Sequence, residues 1–133
     1  MKRGFTCGAF DLLHPGHVLM LEEARSVCDY LIVGLHGDPS IDRPGKSRPV
    51  ETVAERLIRL NGCRYVDEVL VYDTEQGLRE MLIRIAPDIR IIGADWKGKR
   101  FTGDDLPIEI YYNKRDHNWS STDLRYRVMQ VSQ

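Results

Sequence analysis

The run Gly8-Ala9-Phe10-Asp11-Leu12-Leu13-His14-Pro15-Gly16-His17 leads from the first strand-like segment of the chain into its first helix-like segment. Residues 4–8 predict a strand, and the glycine that ends it lets a ligand approach the backbone closely. Pro15 favours the first turn of a helix, where its missing N–H group costs nothing. Amide groups at a helix start attract anions, so this junction predicts a phosphate-binding site.

Strand-like and helix-like segments alternate along the rest of the chain. Tyr30–Leu35 is a continuous apolar run, which is typical of a strand covered on both faces. The other predicted strands are 66–72, 89–92 and 108–112, and the other predicted helices are 52–60, 78–86 and one from Ser120 or Ser121 toward Val131. This order predicts an α/β fold: a Rossmann-like, parallel, five-stranded sheet flanked by helices, forming one domain over residues 1–133. Ligands are then expected beyond the carboxyl ends of the strands.

Composition excludes several classes of function. The 133 residues carry a net charge of −1, so no overall charge favours binding to nucleic acid or to a membrane. The three cysteines form an odd set without C-x-x-C spacing, which disfavours a disulfide framework and a zinc site. Neither a signal peptide nor an apolar run of roughly 20 residues is found, so a cytoplasmic protein is expected.

His14 and His17 lie three residues apart at the predicted helix start. Imidazole groups donate hydrogen bonds to phosphate oxygens and stabilise charge that develops during phosphoryl transfer. The alternative is that one histidine caps the loop and the other is a surface residue, and a lone H-x-x-H would favour that alternative. The complete run of strand, Gly-x-Phe-Asp, His-x-Gly-His and helix is more specific and favours catalysis.

The same run resembles the signature of the cytidylyltransferase-like nucleotidyltransferases, a family that includes glycerol-3-phosphate cytidylyltransferase. Three later segments resemble the family in order: 64–69 (RYVDEV), 93–99 (GADWKGK) and 120–125 (SSTDLR). The resemblance extends from Gly8 to about Arg125.

Three features depart from that pattern. Ala9 stands where the family often has threonine, and Asn118-Trp119 replace its usual Gly-Ile. Residues 46–50 (KSRPV) are more similar to the related heptose-phosphate adenylyltransferases. The reaction class is therefore better specified than the base of the nucleotide.

The resemblance implies transfer of CMP from CTP to a small phosphorylated acceptor such as glycerol 3-phosphate, with release of pyrophosphate. Mg²⁺ is expected with the nucleoside triphosphate rather than in a protein cage, and a homodimer is implied. The alternatives are an adenylyltransferase that uses ATP and a sugar phosphate or another phosphate ester, and a non-catalytic nucleotide-binding regulatory module. Cys7 is expected to be structural rather than nucleophilic, since the family forms no covalent intermediate.

The implied site residues fall into three groups. The catalytic residues are His14, His17 and Lys46. The nucleotide-binding residues are Cys7, Gly8, Ala9, Phe10, Asp11, Gly16, Gly93, Asp95, Arg115, Ser120, Ser121 and Thr122. The acceptor-binding residues are Lys46, Arg48, Arg56, Arg64, Asp67 and Trp96. No residue is assigned to a metal.

Several of these assignments have simpler explanations. Residues 120–122 are also typical of helix capping, and the basic loop 38–50 is either a solvated loop or one that closes over an anionic acceptor. Arg64 and Asp67 are suited equally to a surface ion pair or to a dimer contact. Trp96 is explained equally by an ordinary, partly buried aromatic residue.

Overall fold

The computed structural model describes residues 1–114 and 117–131, and its strands form one five-stranded parallel sheet. The strands are β1 (Arg3–Gly8), β2 (Tyr30–His36), β3 (Glu68–Tyr72), β4 (Ile89–Gly93) and β5 (Glu109–Asn113). The helices are α1 (Pro15–Ser26), α2 (Pro39–Asp42), α3 (Val53–Asn61), α4 (Glu75–Ile85) and α5 (Ser121–Val131), with a 3₁₀ turn at Ala94–Trp96. The predicted α/β, Rossmann-like architecture is confirmed.

The strand order β3-β2-β1-β4-β5 determines where a ligand can bind. The chain first builds outward from β1 to β3 and then crosses back to place β4 on the other side of β1. This reversal creates a crevice at the carboxyl ends of β1 and β4, which is the usual ligand site of an open parallel sheet. Gly8 pairs with Leu35, and Gly93 pairs with Asn113, so these ends lie along one edge.

Two apolar layers cover the two faces of the sheet. Alternate residues of a strand point to opposite faces, and Val33 packs on one side with Leu21 of α1, whereas Ile32 packs on the other with Leu82 of α4. All four side chains are at most 3% exposed. Within the described residues, no helix has both the length and the apolar character that crossing a bilayer requires.

Most observed boundaries lie within two residues of the predicted ones, and two differences are larger. Helix α4 begins at Glu75 rather than Leu78, because the Thr74 hydroxyl accepts a hydrogen bond from the Gly77 amide and caps a polar first turn. The loop expected over 38–50 contains the short helix α2, which Asp38 caps through the Ser40 amide. Apolar periodicity does not detect helical turns that face solvent.

Arg56 of α3 joins the segments that follow β1 and β2. Its side chain is 1% exposed, and the guanidinium donates at distances from 2.5 to 3.3 Å. Its five acceptors are the backbone carbonyl oxygens of Ala9, His36, Gly37, Glu51 and Thr52. The structure therefore contradicts the prediction that Arg56 binds the acceptor, since this side chain is buried and its hydrogen bonds are made within the protein.

Replacing Arg56 with methionine should lower the free energy of unfolding by about 3 kcal/mol or more, because each buried carbonyl left without a donor costs roughly 1–3 kcal/mol. Urea denaturation followed by circular dichroism measures the loss. The matched control is Arg127→Ala, which removes an exposed ion pair with Asp123 at 4.0 Å and should cost less than about 1 kcal/mol. Equal losses in the two variants would contradict the structural role of Arg56.

Candidate active site

The loop between β1 and α1 has an unusual backbone that the rest of the fold holds in place. Phe10 and Leu12 adopt positive φ angles of 48° and 52°, which non-glycine residues rarely occupy. Asp11, between them, accepts hydrogen bonds from the Val50 and Glu51 amides at 2.8 and 2.9 Å. It also accepts one from Arg125 of α5 at 2.7 Å. The Asp11 carboxylate is therefore engaged by protein groups, and it ties the loop to α3 and to α5.

Hydrogen bonds within the protein stabilise the ionised form of Asp11. Burial by itself would raise the pKa of Asp11. The hydrogen bonds from the Glu51 and Val50 amides and from Arg125 outweigh this effect and hold the pKa below its ordinary value. Asp11 is thus ionised at neutral pH and keeps its three hydrogen bonds.

His14 and His17 form a reciprocal cap at the start of α1. Nδ1 of His14 accepts a hydrogen bond from the Gly16 amide at 3.1 Å, and Nδ1 of His17 accepts one from the His14 amide at 3.2 Å. The two rings stack with centroids 3.9 Å apart. Because Nδ1 of His17 is an acceptor, the neutral His17 ring carries its proton on Nε2. Both histidines therefore take part in the cap of the helix, and the Nε2–H group of His17 can donate.

The rings of His14 and His117 leave no room for a side chain at Gly16. A Cβ atom at this position would lie 2.8 Å from Cε1 of His117 and 2.9 Å from Cε1 of His14. Real side chains do not approach that closely, so any larger residue would displace an imidazole. The prediction assigned Gly16 to the nucleotide, and the structure shows that it also makes room for two histidines.

Burial keeps His17 neutral. Desolvation is the largest effect on its pKa, the neighbouring His14 lowers it further, and Asp11 opposes both; the resulting pKa is about 4. At neutral pH the His17 ring is consequently a hydrogen-bond donor and not a cation.

Two cavities meet beside these histidines at the carboxyl edge of the sheet. The large cavity has a volume of about 520 Å³ and the small cavity about 280 Å³. His17 and Ser121 contribute to the walls of both. His17 is therefore accessible from two compartments.

The large cavity contains nine of the predicted site residues. They are Cys7, Gly8, Ala9, Phe10, Asp11, His17, Lys46, Trp96 and Ser121. Arg43 lies over the Trp96 ring at 5.6 Å from its centroid and adds a second cation near Lys46. Arg48 is not among the lining residues; its side chain is exposed, and its Nε atom lies 3.9 Å from an Asp38 oxygen.

The small cavity contains the other predicted nucleotide-binding residues that the structure brings together. They are Gly16, Gly93, Asp95, Ser120 and Ser121, together with His14 and His17. Ser120 caps α5 by accepting a hydrogen bond from the Asp123 amide at 3.0 Å, which confirms the capping alternative for this residue. Thr122 is exposed and lines neither cavity. The predicted phosphate ligand Arg115 lies outside the described residues.

Arg64 and Asp67 lie at the opposite edge of the sheet. Asp67 directly precedes β3 and accepts hydrogen bonds from the Leu31 amide at 2.8 Å and from Arg25 at 3.0 Å. Arg64 lies over the Tyr65 ring. The amino ends of parallel strands face away from the carboxyl ends, so neither residue can contact an acceptor bound in this chain's own cavities. That prediction is wrong within one chain.

Arg90 and His117 are among the residues that line the cavities and were not predicted from the sequence. Arg90 interrupts the apolar run of β4, and an arginine in a buried strand was the available signal. His117 follows the carboxyl end of β5 and lines the small cavity beside Gly16. Its position after a strand end was the corresponding signal.

Nuclear magnetic resonance of ¹⁵N-labelled imidazoles should show His17 with its proton on Nε2 and a pKa of about 4. The unfolded protein in urea, where histidine titrates near 6.5, is the control. Because the folded pKa is the lower one, the free energy of unfolding should decrease as pH falls from about 6.5 through about 4. Titration of His17 near 6.5 in the folded protein would contradict the buried, neutral ring.

Comparison with known proteins identifies the family to which the chain is similar. A family described as cytidylyltransferase-like matches residues 5–127. The bifunctional protein HldE of Campylobacter concisus is 41% identical over 107 residues, which is 80% of this chain and 22% of that protein. HldE of Rhodospirillum rubrum is 45% identical over 111 residues, which is 81% of this chain and 22% of that protein. The chain thus spans about a fifth of the length of the curated relatives it matches.

Solved structures share the fold. A lipopolysaccharide core biosynthesis protein from Thermoplasma volcanium has a TM-score of 0.63 at 22% identity and covers 99% of this chain and 89% of its own. Pantothenate synthetase from Thermus thermophilus has a TM-score of 0.66 at 17% identity and covers 93% of this chain and 61% of its own. The sequence match covers nearly the whole chain, and the chain therefore belongs to the cytidylyltransferase-like family of nucleotidyltransferases.

Proposed function

We propose that this chain is an adenylyltransferase that transfers AMP from ATP to a sugar phosphate and releases pyrophosphate. A phosphate oxygen of the acceptor attacks the α-phosphorus and forms the new P–O bond. The bond from the α-phosphorus to the bridging oxygen breaks, and its electron pair leaves with pyrophosphate. The observation that carries the proposal is the pair of stacked imidazoles, both with Nδ1 used as an acceptor, at the wall shared by two cavities.

The small cavity supports nucleotide binding. The starts of α1 and α5 both border it, and the first amides of a helix have no partner within the helix. Such amides stabilise phosphate groups together with the helix dipole. The Nε2–H group of His17 then donates to the oxygens on which charge develops as the bond breaks, and the His14 ring, stacked on it, holds it in place. Asp95 and Lys114 line the same cavity and provide polar groups for the base or the ribose.

The large cavity supports acceptor binding. Lys46 and Arg43 border it and attract a phosphorylated molecule, and His17 adjoins both compartments. In this proposal the attacking phosphate reaches His17 from the large cavity, and the α-phosphate reaches it from the small cavity. Catalysis then comes from positioning and from hydrogen-bond donors arranged in advance, with no protein nucleophile.

The choice of ATP over CTP rests on sequence similarity. The match to HldE proteins favours the alternative of ATP and a sugar phosphate over CTP and glycerol 3-phosphate. The resemblance of residues 46–50 to heptose-phosphate adenylyltransferases agrees with this choice. We propose further that the protein is cytoplasmic and forms a homodimer, as the family resemblance implies.

The nucleotide is proposed to bind as its magnesium complex. Among residues 1–114 and 117–131, no group of three or more histidine, cysteine or acidic side chains is arranged to hold a metal ion. In this proposal the cation arrives with the substrate, bound by phosphate oxygens and water, as Mg²⁺ prefers.

A substrate panel tests the reaction. The protein is incubated with each nucleoside triphosphate, Mg²⁺ and a set of sugar phosphates and glycerol 3-phosphate, and released pyrophosphate is measured. We expect release with ATP and a sugar phosphate and a much slower reaction with CTP. Faster release with CTP and glycerol 3-phosphate would contradict the choice of substrates. Tight nucleotide binding with no release from any pair would indicate a regulatory module.

Variants of the histidines test the mechanism. His14→Ala and His17→Ala should each reduce turnover by about a hundredfold or more, because each removes one imidazole of the stacked pair at the proposed reaction centre. His17→Gln retains an N–H group near the Nε2 position and should recover part of the rate. Lys2→Ala, at the far edge of the sheet, is the control for handling and folding. Unchanged turnover in both alanine variants would refute the assignment.

A further inference from the structure

Arg90 carries a buried charge that no acidic side chain balances directly. The residue is 3% exposed, and no carboxylate oxygen in the described part of the chain lies within 4.0 Å of its guanidinium. One Nη atom donates to the Thr102 carbonyl, and the other lies 3.7 Å from the sulfur of Cys7. The Nε–H group is buried with no partner. Burying an unpaired charge and an unsatisfied donor destabilises a fold, so the arrangement calls for an explanation.

The acidic groups of this region are engaged elsewhere. Asp104 accepts a hydrogen bond from Nε of Arg100 at 2.5 Å and one from the Phe101 amide at 3.2 Å. Its pKa is lowered chiefly by Arg100, and Arg90 adds only a charge effect at longer range. Glu75 lines the large cavity and lies 3.9 Å from Arg43. Neither carboxylate contacts Arg90.

The Arg90 side chain points toward the site. In the sheet, Arg90 pairs with Phe5, yet its guanidinium reaches Cys7, two residues nearer the carboxyl end of β1. The Phe101 ring covers it at 4.9 Å, and the guanidinium borders the large cavity together with Lys46. The cation is thus held in a fixed orientation at the wall of the compartment that we assign to the acceptor.

Arg90 and His17 approach this cavity from opposite faces of the sheet. Cys7 and Phe5 pack on the face covered by α4, whereas α1, which carries His17, covers the other face. When the phosphate of the acceptor lies at His17, Arg90 therefore contacts a different part of the acceptor.

We propose that Arg90 binds a second oxyanion of the acceptor, a carboxylate or a phosphate distinct from the phosphate that attacks. The acceptor is then a sugar phosphate with a further negative charge. The role of this sugar phosphate as an acceptor rests on the proposed nucleotidyl transfer. The binding of an oxyanion by Arg90 does not rest on it. Binding of the oxyanion supplies the charge and the acceptor lone pairs that the protein does not provide.

Cys7 provides a direct reporter of occupancy, because its sulfur lies beside Arg90 and lines the cavity. The protein is saturated with α,β-methylene-ATP and treated with iodoacetamide, and the modification of each cysteine is followed by mass spectrometry. Inorganic phosphate and malonate are the probes, and Cys63, at the opposite edge of the sheet, is the internal standard. Both anions should slow modification of Cys7 but not of Cys63. Arg90→Met should raise the half-protecting concentration about tenfold or more, and Arg90→Lys should raise it less.

Protection by only one anion would still support the site and would identify it as a phosphate or a carboxylate site. Equal half-protecting concentrations in wild type and Arg90→Met, or no protection of wild type by either anion, would overturn the proposal. Protection without pyrophosphate release from any substrate pair would refute the proposed function and leave the anion site standing.

Stability and kinetics separate a binding role from a structural one. Without anions, Arg90→Met should be at least as resistant to urea as wild type, because it removes an unbalanced buried charge. In the enzyme assay, a hexose 1,6-bisphosphate should have a lower KM than the hexose 1-phosphate with wild type. This advantage should disappear in Arg90→Met while kcat changes little. A destabilised variant that keeps the KM advantage would show that Arg90 is structural.

Discussion

The buried guanidinium of Arg56 is the contact on which the carboxyl edge of the sheet depends. The loops after β1 and β2 end in carbonyl groups that no strand can pair, and a buried carbonyl without a donor is costly. One side chain from α3 satisfies these groups and fixes both loops relative to each other. Asp11 completes the arrangement from the other side, since it binds the start of α3 and Arg125 of α5. The site is therefore held by polar contacts, whereas the two faces of the sheet are held by apolar packing.

The histidine pair shows how structural and chemical roles coexist in one group. An imidazole has two nitrogens, and here Nδ1 of each ring takes part in the helix cap, which leaves Nε2 of His17 as the donor that we propose for a phosphate. The cap fixes the tautomer and the orientation of each ring before substrate arrives, which is the condition for effective electrostatic catalysis. The alternatives of capping and catalysis, which compete when only the sequence is considered, are thus compatible.

Sequence alone predicted the fold and named many of the residues that line the two cavities, for physical reasons that also explain its errors. Apolar periodicity depends on burial, so it located the strands and the helices, and the motif from Gly8 to His17 located the histidines. Arg56 was misassigned and Arg90 was missed, because the environment of a side chain is created by residues far away in sequence. Asp67 was placed at the acceptor by resemblance, although a residue that precedes a parallel strand lies at the amino edge. Connectivity alone would have corrected that assignment.

The start of helix α5 borders the small cavity, yet none of its described residues is buried. It is joined to the loop after β1 by Arg125 and by the Ser121 hydroxyl, which both contact Asp11. A helix without buried residues is expected to open more readily than the core, and its amide protons should exchange with solvent sooner than those of the central strands. Under the proposed function, part of the intrinsic affinity for the nucleotide is then used to order this segment. Affinity for the proposed triphosphate is thereby coupled to the local folding equilibrium of the last helix.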